Sequence, residues 1–121
     1  MDTNVLLRLK AMKDGNQICT LTKTMAMPSP PAVGLCLEFE ASYPFKNTFF
    51  FHITSPVHYI EKDCLYVAHS LIDVSQESIE RQEHLNDDFF ILKALSSGFT
   101  LETLNEDFSD LVKKAQEKVQ R

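Results

Sequence analysis

Residues 47–73 read NTFFFHITSPVHYIEKDCLYVAHSLID and hold the densest run of strand signals in the chain. Near its start, Phe49, Phe51 and Ile53 recur at every second position. Successive side chains of a strand point to opposite faces, so these three share one face and Phe50 lies on the other. A strand with phenylalanine on both faces is either covered on both sides or offers an aromatic ring to a partner.

Two more strands follow in the same stretch. Ser55 and Pro56 interrupt the first strand, because proline has no N–H to donate to a sheet. The charged residues 61–63 then separate two runs rich in β-branched and aromatic side chains, 57–60 and 64–74. A short charged segment between two such runs predicts a hairpin.

A hairpin is also predicted at the front of the chain. Val5–Lys13 alternates, and Asp14-Gly15 is a strong turn signal because glycine supplies a positive φ without strain. Gln17–Met27 then returns antiparallel, with Lys23 as a misfit that marks a bulge or an edge. The residues predicted to face the core are Val5, Leu7, Leu9 and Ala11 on the first strand and Cys19, Leu21, Met25 and Met27 on the second.

A proline segment separates this hairpin from the next predicted strand. Pro28–Pro31 fixes φ at three positions and indicates a stiff connector, with a polyproline ligand as the alternative. Val33–Glu40 is then predicted as a strand. The residues predicted to face inward on it are Val33, Leu35, Leu37 and Phe39.

The composition changes in the last third of the chain. Residues 75–85 are polar and are predicted as an exposed loop, a weak helix or a connector. Asn86 can cap a buried helix over 87–97, and Gly98 stands where a helix commonly ends. A strand over 88–95 is the alternative, since a short apolar run has no decisive periodicity.

The last predicted element is an amphipathic helix. Thr103-Leu104-Asn105-Glu106 has the form of a capping box, which starts the helix near Thr103 or one turn earlier. Such a helix either docks on its own sheet or pairs with another chain. Its apolar stripe consists of Leu101, Leu104, Phe108, Leu111, Ala115 and Val119.

Strands followed by helices predict an α+β fold. The sequence favours a small antiparallel β-barrel-like sheet of five or six strands, SH3-like or OB-like by architectural analogy, followed by one or two C-terminal helices. Residues 1–74 would form the antiparallel β part. Residues 75–121 would form an acidic helical extension packed on it, within a single structural domain.

Charge and cysteine content limit the partners. Basic and acidic side chains balance over residues 1–72, so residues 73–121 carry the whole net charge of −5. An acidic tail disfavours nucleic acid, whose phosphates are bound by lysine and arginine. Three cysteines without a CxxC pair indicate a reducing compartment, with the cytoplasm as the default. No signal peptide and no apolar run of about 18 residues is present in this sequence, so no membrane partner is expected.

No catalytic or metal-binding motif stands out. His52, His58, His69 and His84 are spread along the chain, and a hairpin turning at 61–63 would place His58 near Tyr66 or Val67 rather than His69. Zinc needs three or four ligands around one point. Glycine-rich phosphate loops and nucleophile elbows are absent from the sequence. We therefore expect no metal, no cofactor and no enzymatic activity.

Two functions remain. The first is a self-associating protein-interaction or assembly module, and the alternative is a small barrel that binds single-stranded nucleic acid through aromatic and basic side chains. Candidate residues for protein contact are Phe50, Leu101, Leu104, Phe108, Leu111 and Val119. Candidates for nucleic-acid contact are Arg8, Lys10, Lys13, Phe50, His52 and Tyr66.

Overall fold

The computed structural model of the protein describes residues 2–43, 46–74 and 89–120. It has an α+β fold, which confirms the predicted class. The strands are β1 (Thr3–Lys13), β2 (Asn16–Met27), β3 (Cys36–Ala41), β4 (Asn47–His52), β5 (His58–Ile60), β6 (Leu65–Asp73) and β7 (Thr100–Leu104). The helices are α1 (Phe89–Ser96) and α2 (Ser109–Val119), and short 3-10 turns cover Glu61–Asp63 and Glu106–Phe108. Neither helix in these ranges is long and apolar enough to cross a membrane.

Five of the strands form one sheet in the order β5-β6-β1-β2-β7. Neighbouring strands are antiparallel except for β1 and β6, which run parallel. The other two strands, β3 and β4, pair as a separate antiparallel hairpin. In the described part of the chain β5 and β7 are the two edges of the sheet. No closed barrel is found there, and the predicted barrel-like closure is not confirmed.

β1 and β2 are joined by the predicted tight turn, in which Asp14 and Gly15 have φ values of 50° and 82°. Two positive φ values in a two-residue loop fit the twist of a hairpin. The predicted inner face of β1 is buried. On β2, a bulge at Ile18 interrupts the predicted alternation, and both Ile18 and Cys19 are completely buried.

Lys23 points to the core side of β2. Of the two features predicted here, the bulge is wrong, because Lys23 pairs in regular register with Leu7. The edge fits the structure, because the ladder between β2 and β7 ends at Thr22. The Nζ of Lys23 donates to the carbonyl oxygen of Ser97 at 2.6 Å, and it lies 4.9 Å from the centre of the Phe39 ring. The ammonium thus sits at the C-terminal end of α1, where a helix favours positive charge.

The β3–β4 hairpin supplies the second layer of the core. Phe49, Phe51 and Ile53 are at most 2% exposed, and Phe50 on the opposite face is 40% exposed, as predicted. Residues 33–35 were predicted to belong to the strand and to face inward, and this is wrong. β3 begins only at Cys36, and the side chains of Val33 and Leu35 are exposed. A turn at Gly34, with φ +93°, separates this segment from the strand.

Phe99 joins the two layers of the core. Its ring centre lies 5.8 Å from that of Phe39, 5.4 Å from that of Phe49 and 5.9 Å from that of Phe51. Phe99 itself is 2% exposed and stands directly between α1 and β7. A single side chain therefore ties the β3–β4 hairpin to the C-terminal part of the protein.

α1 is a helix, as predicted, and the competing strand is wrong. It ends at Gly98, where φ is +101°. The N–H of Phe99 donates to the carbonyl of Ala94 at 3.1 Å, and the N–H of Gly98 donates to that of Leu95 at 3.2 Å. These two bonds form a Schellman motif, which is the ending that a glycine at this position favours. The predictions for residues 75–86 lie outside the described residues.

The predicted start of the last helix, near Thr103 or one turn earlier, is wrong. Residues Thr100–Leu104 form strand β7 instead, and this strand pairs with β2. Leu101 lies opposite Leu21, and Leu104 lies opposite Cys19. A bulge at Glu102 places both leucines on the core side of the sheet although they are three residues apart. The spacing that resembled a helix therefore comes from a bulged strand.

α2 begins only after the second 3-10 turn, so Thr103 does not cap it. Asn105 caps that turn instead, and its side-chain oxygen accepts a hydrogen bond from the N–H of Asp107 at 3.0 Å. Val112 and Ala115 of α2 are completely buried in the main core. Of the two alternatives for this helix, the structure shows docking on its own chain.

Candidate functional site

A cleft of about 550 Å³ opens on the face of the five-stranded sheet that points away from the core. We call it the outer cleft, and its walls include Arg8, Lys10, Thr54, His69, Leu71 and Glu102. Four strands (β1, β2, β6 and β7) and the segment before β5 contribute to it, with Gln17 and Thr20 coming from β2. Its size falls within the range of about 300–1,000 Å³ that is typical of small-molecule sites.

Strand register brings the walls of the outer cleft together. β1 and β6 run parallel, with Arg8 beside His69 and Lys10 beside Leu71. These side chains take the outer face because the alternate residues of β1 fill the core. The bulge leaves Glu102 without a partner in the β2–β7 ladder, and its carboxylate reaches Arg8.

Arg8 and Glu102 form a bidentate ion pair across the sheet. The Nε of Arg8 lies 3.0 Å from one carboxylate oxygen of Glu102, and an Nη lies 3.1 Å from the other. Their side chains are 34% and 35% exposed, so solvent screens part of the attraction. The pair fixes the orientation of the guanidinium plane more than it adds to stability.

His69 lies between Arg8 and a second histidine. Its ring centre is 6.2 Å from that of His58. The sequence placed His58 near Tyr66 or Val67 and away from His69, and of these the backbone register pairs it with Val67. The prediction that His58 lies away from His69 was wrong. His69 is two residues from Val67 on the same strand, so it is a diagonal neighbour of His58 on the same face of the sheet. Partial burial lowers the pKa of His69, and the positive charge of Arg8 and the nearby His58 lower it further, against the opposing effect of Glu102.

A smaller cavity of about 110 Å³ adjoins the outer cleft, and Ser70 and Leu71 line both. Phe50 and His52 lie on its wall, with their rings stacked at 6.5 Å and an angle of 25°. The Sγ of Cys36 lies 3.8 Å from Nε2 of His52 across the β3–β4 ladder. An aromatic surface is therefore adjacent to a polar cleft.

The residues predicted for nucleic-acid contact are divided between two faces. Arg8 and Lys10 line the outer cleft, and Phe50 and His52 line the cavity beside it. Tyr66 points to the opposite, core-facing side, and its ring lies 4.7 Å from that of Tyr59. Lys13 lies at the turn end of β1 and lines neither cavity.

The residues predicted for protein contact also separate. Phe50 is exposed on the outer face of the β3–β4 hairpin. The others are partly buried and pack against the protein's own core: Leu101, Leu104, Phe108, Leu111 and Val119. Most of the apolar stripe is thus occupied within the chain.

The β5 edge is a feature that the sequence reasoning missed. All three of its residues are exposed, including Tyr59 at 52% and Ile60 at 39%. The charge on the Cys64 thiolate raises the pKa of the Tyr59 hydroxyl, and desolvation adds to this. The signal was present as an apolar pair placed between Pro56 and a charged turn, which is typical of a short edge strand.

The three cysteines are free and differ in exposure. Cys19 is buried, and burial raises the pKa of its thiol to about 12. Cys36 is partly buried and Cys64 is exposed. Within residues 2–43, 46–74 and 89–120, no group of three or more histidine, cysteine or acidic side chains converges on one point. His84, the fourth histidine considered as a metal ligand in the sequence, lies outside those ranges.

Comparison of the chain with models of known protein families, with curated protein sequences and with solved structures finds no match.

Proposed function

We propose that this chain is a non-enzymatic protein-interaction module that associates with a second copy of itself through the β5 edge. The observation that carries the proposal is the exposure of Tyr59 and Ile60 on an edge strand. A sheet edge offers a row of backbone N–H and C=O groups that another strand can pair with. Exposed apolar side chains on that edge add contact area once the strands are paired.

The distribution of exposed apolar side chains favours the same side of the molecule. The large ones that are exposed are Val33, Leu35, Phe50, Tyr59, Ile60 and Leu71. All of them come from the β3–β4 hairpin, the segment leading into it, or the adjoining β5–β6 pair. In the described residues, none comes from β1, β2, β7 or either helix. Among the described residues, the exposed apolar side chains therefore belong to β5 and the elements around it rather than to the β7 edge.

A second copy is the occupant that symmetry favours. Two identical strands can pair antiparallel about a two-fold axis, so the same edge serves both copies. A register centred on Tyr59 would set the two tyrosine rings side by side, as aromatic cross-strand pairs prefer. Pro56 limits the ladder to a few residues, because it has no N–H to donate. A standard interface buries about 800 Å² on each partner, so apolar side chains outside the three residues of β5 would have to contribute to it.

The test is solution mass by light scattering of the full chain over a wide range of concentrations. We expect the mass to rise from monomer to dimer with concentration. Ile60→Lys should remain monomeric, since a lysine on an edge strand opposes pairing. Thr100→Lys, on the opposite edge strand β7, is the matched control and should dimerise like the wild type. A wild type that stays monomeric throughout, or an Ile60→Lys variant that still dimerises, would contradict the proposal.

Binding of single-stranded nucleic acid is the competing outcome. It is supported by Lys10 on the outer cleft, which shares wall residues with the cavity that Phe50 and His52 line, and weakened by the neutralisation of Arg8 by Glu102. Fluorescence anisotropy of a labelled oligothymidylate, measured at several salt concentrations, separates the two. Affinity that falls with salt and is lost in Phe50→Ala would favour nucleic acid. The absence of binding at low salt would favour assembly.

The proposal includes a cytoplasmic location. This location is proposed because all three cysteines are free thiols, although Cys36 is only partly buried and Cys64 is exposed. Such thiols persist in a reducing compartment.

A further inference from the structure

We propose that the outer cleft binds a small organic oxyanion, a phosphate or carboxylate group carried on an apolar body, through Arg8 and Lys10. This site is separate from the β5 edge and does not depend on self-association. The ligand would lie against the exposed face of the five-stranded sheet.

Arg8 is oriented for this role by Glu102. A guanidinium has five N–H donors in a flat fork. The carboxylate of Glu102 takes two of them, on the edge formed by Nε and one Nη. The remaining donors have no acceptor among the described residues. They form a second edge, which matches the spacing of the oxygens of a phosphate or a carboxylate.

Lys10 supplies the net positive charge. It is exposed on the wall of the cleft and has no ion-pair partner among the described residues. Glu102 cancels the charge of Arg8, and the ring of His69 stays neutral at neutral pH because burial and Arg8 lower its pKa. The cleft therefore carries one net positive charge on a protein whose overall charge is −5. That contrast would attract an anion locally.

The rest of the wall fits a ligand with an apolar part. Leu71 is 52% exposed and lies beside Lys10 on the neighbouring strand. Ser55 and the side-chain amide of Gln17 also line the cleft. That amide donates to the hydroxyl of Thr20 at 3.2 Å, which holds the wall in place. Polar donors around one apolar surface are the usual composition of a small-ligand site.

The experiment is a titration of the isotope-labelled full chain with phenyl phosphate, followed by the NMR signals of its backbone amides and histidine rings. We expect saturable shifts at Arg8, Lys10, Ser55 and Leu71. Benzoate in a parallel titration separates carboxylate from phosphate preference, and phenol tests the apolar part alone. Bound anion should also raise the pKa of His69, because it offsets the nearby positive charge.

Two variants make the test specific. Lys10→Gln should weaken binding on the order of tenfold, the effect of losing one charged hydrogen bond. Lys46→Gln is the matched control. Lys46 does not line the cleft, and its Nζ pairs with the carboxylate of Glu40 at a distance of 3.2 Å. This variant should bind the ligand like the wild type. Arg8→Lys keeps the charge but loses the fork, and it should also bind more weakly. The proposal is overturned by non-saturable shifts, by equal shifts with phenol, or by unchanged affinity in Lys10→Gln.

Discussion

The two edges of the five-stranded sheet are built in opposite ways. At the β7 edge, the side-chain amide of Asn105 donates to the carbonyl of Gln17 at 2.8 Å, and its backbone N–H donates to that of Ile18 at 3.0 Å. The hydroxyls of Thr20 and Thr103 also contact each other there. At the β5 edge, the strand has three residues and all are exposed.

Side-chain hydrogen bonds hold β7 to β2, and the chain then continues into α2, which packs on the core. The second edge ends in a short turn in which Cys64 has a positive φ of 50°. Backbone groups on an edge are satisfied by solvent or by a partner strand. Both β5 and β7 keep an unpaired side, but the exposed apolar side chains lie at β5, so β5 is the edge at which we expect a second copy to pair.

The largest expected effect concerns Phe99, which stands just before β7. Phe99→Ala removes three aromatic contacts from the core and should lower the free energy of unfolding by about 3–5 kcal/mol in urea denaturation. Tyr59→Ala on β5 is the matched control and should cost less than about 1 kcal/mol, since half of that side chain is exposed. Equal losses for the two variants would show that the edges are equally integrated into the fold.

Two glycines with similar backbone conformation give the next test. Gly98 and Gly34 have φ of +101° and +93°, but a Cβ at Gly98 would lie 2.6 Å from the Nζ of Lys23, and one at Gly34 would meet no atom within 4 Å. Gly34→Ala should cost about 1–2 kcal/mol, the strain of a left-handed alanine. Gly98→Ala should cost about 2–4 kcal/mol, because Lys23 must also leave the carbonyl of Ser97. Thermal and urea unfolding measure both, and a larger loss at Gly34 would refute this explanation.

The ion pair between β1 and β7 has a smaller effect. Glu102→Gln should lower the free energy of unfolding by about 0.5–1 kcal/mol, and the difference from the wild type should shrink as salt is added. Glu40→Gln is the matched control. The Glu40–Lys46 pair is far more exposed, and its loss should not be measurable. If the effect of Glu102→Gln does not change with salt, its origin is not the charge pair.

The smallest expected effect is a dependence of stability on pH at His69. Its pKa is lowered in the folded protein, so the unfolded chain takes up this proton at a higher pH. The stability contributed by neutral His69 is complete above the ordinary value of 6.5 and is lost as the pH falls through it. Arg8, His58 and Glu102 are the other charged or titratable groups that act on this ring. When the pH falls from about 7.5 to about 5.0, the free energy of unfolding measured in urea should decrease more for the wild type than for His69→Gln. An equal decrease in both proteins would assign the pH dependence to other groups.

Local patterns were enough to predict much of the fold. The tight turn at Asp14-Gly15, the buried face of β4 and the glycine end of α1 all follow from rules that involve a few neighbouring residues. Such rules failed at Glu102, where a bulge shifted the alternation of β7 and made two leucines resemble a helical pair. They also could not identify the partner of Lys23, a carbonyl that lies 74 residues away in the chain.

The candidate site was predictable only in part. Arg8 and Lys10 were identified as outward-facing bases on an alternating strand, but nothing near them in the sequence indicates Glu102 or His69 as neighbours. Those contacts depend on a parallel pairing of β1 with β6 and an antiparallel pairing of β2 with β7, which join distant segments.

The sequence by itself determined which side chains are buried on β1 and β4, where the first hairpin turns, and where α1 ends. These features follow from side-chain alternation and from glycine's tolerance of positive φ, which are properties of short segments. Only the tertiary structure decided that residues 100–104 form a strand, that β5 remains an open apolar edge, and that one arginine, one carboxylate and two histidines share a sheet face. Strand order and register set those features, and both depend on pairings between segments far apart in the chain.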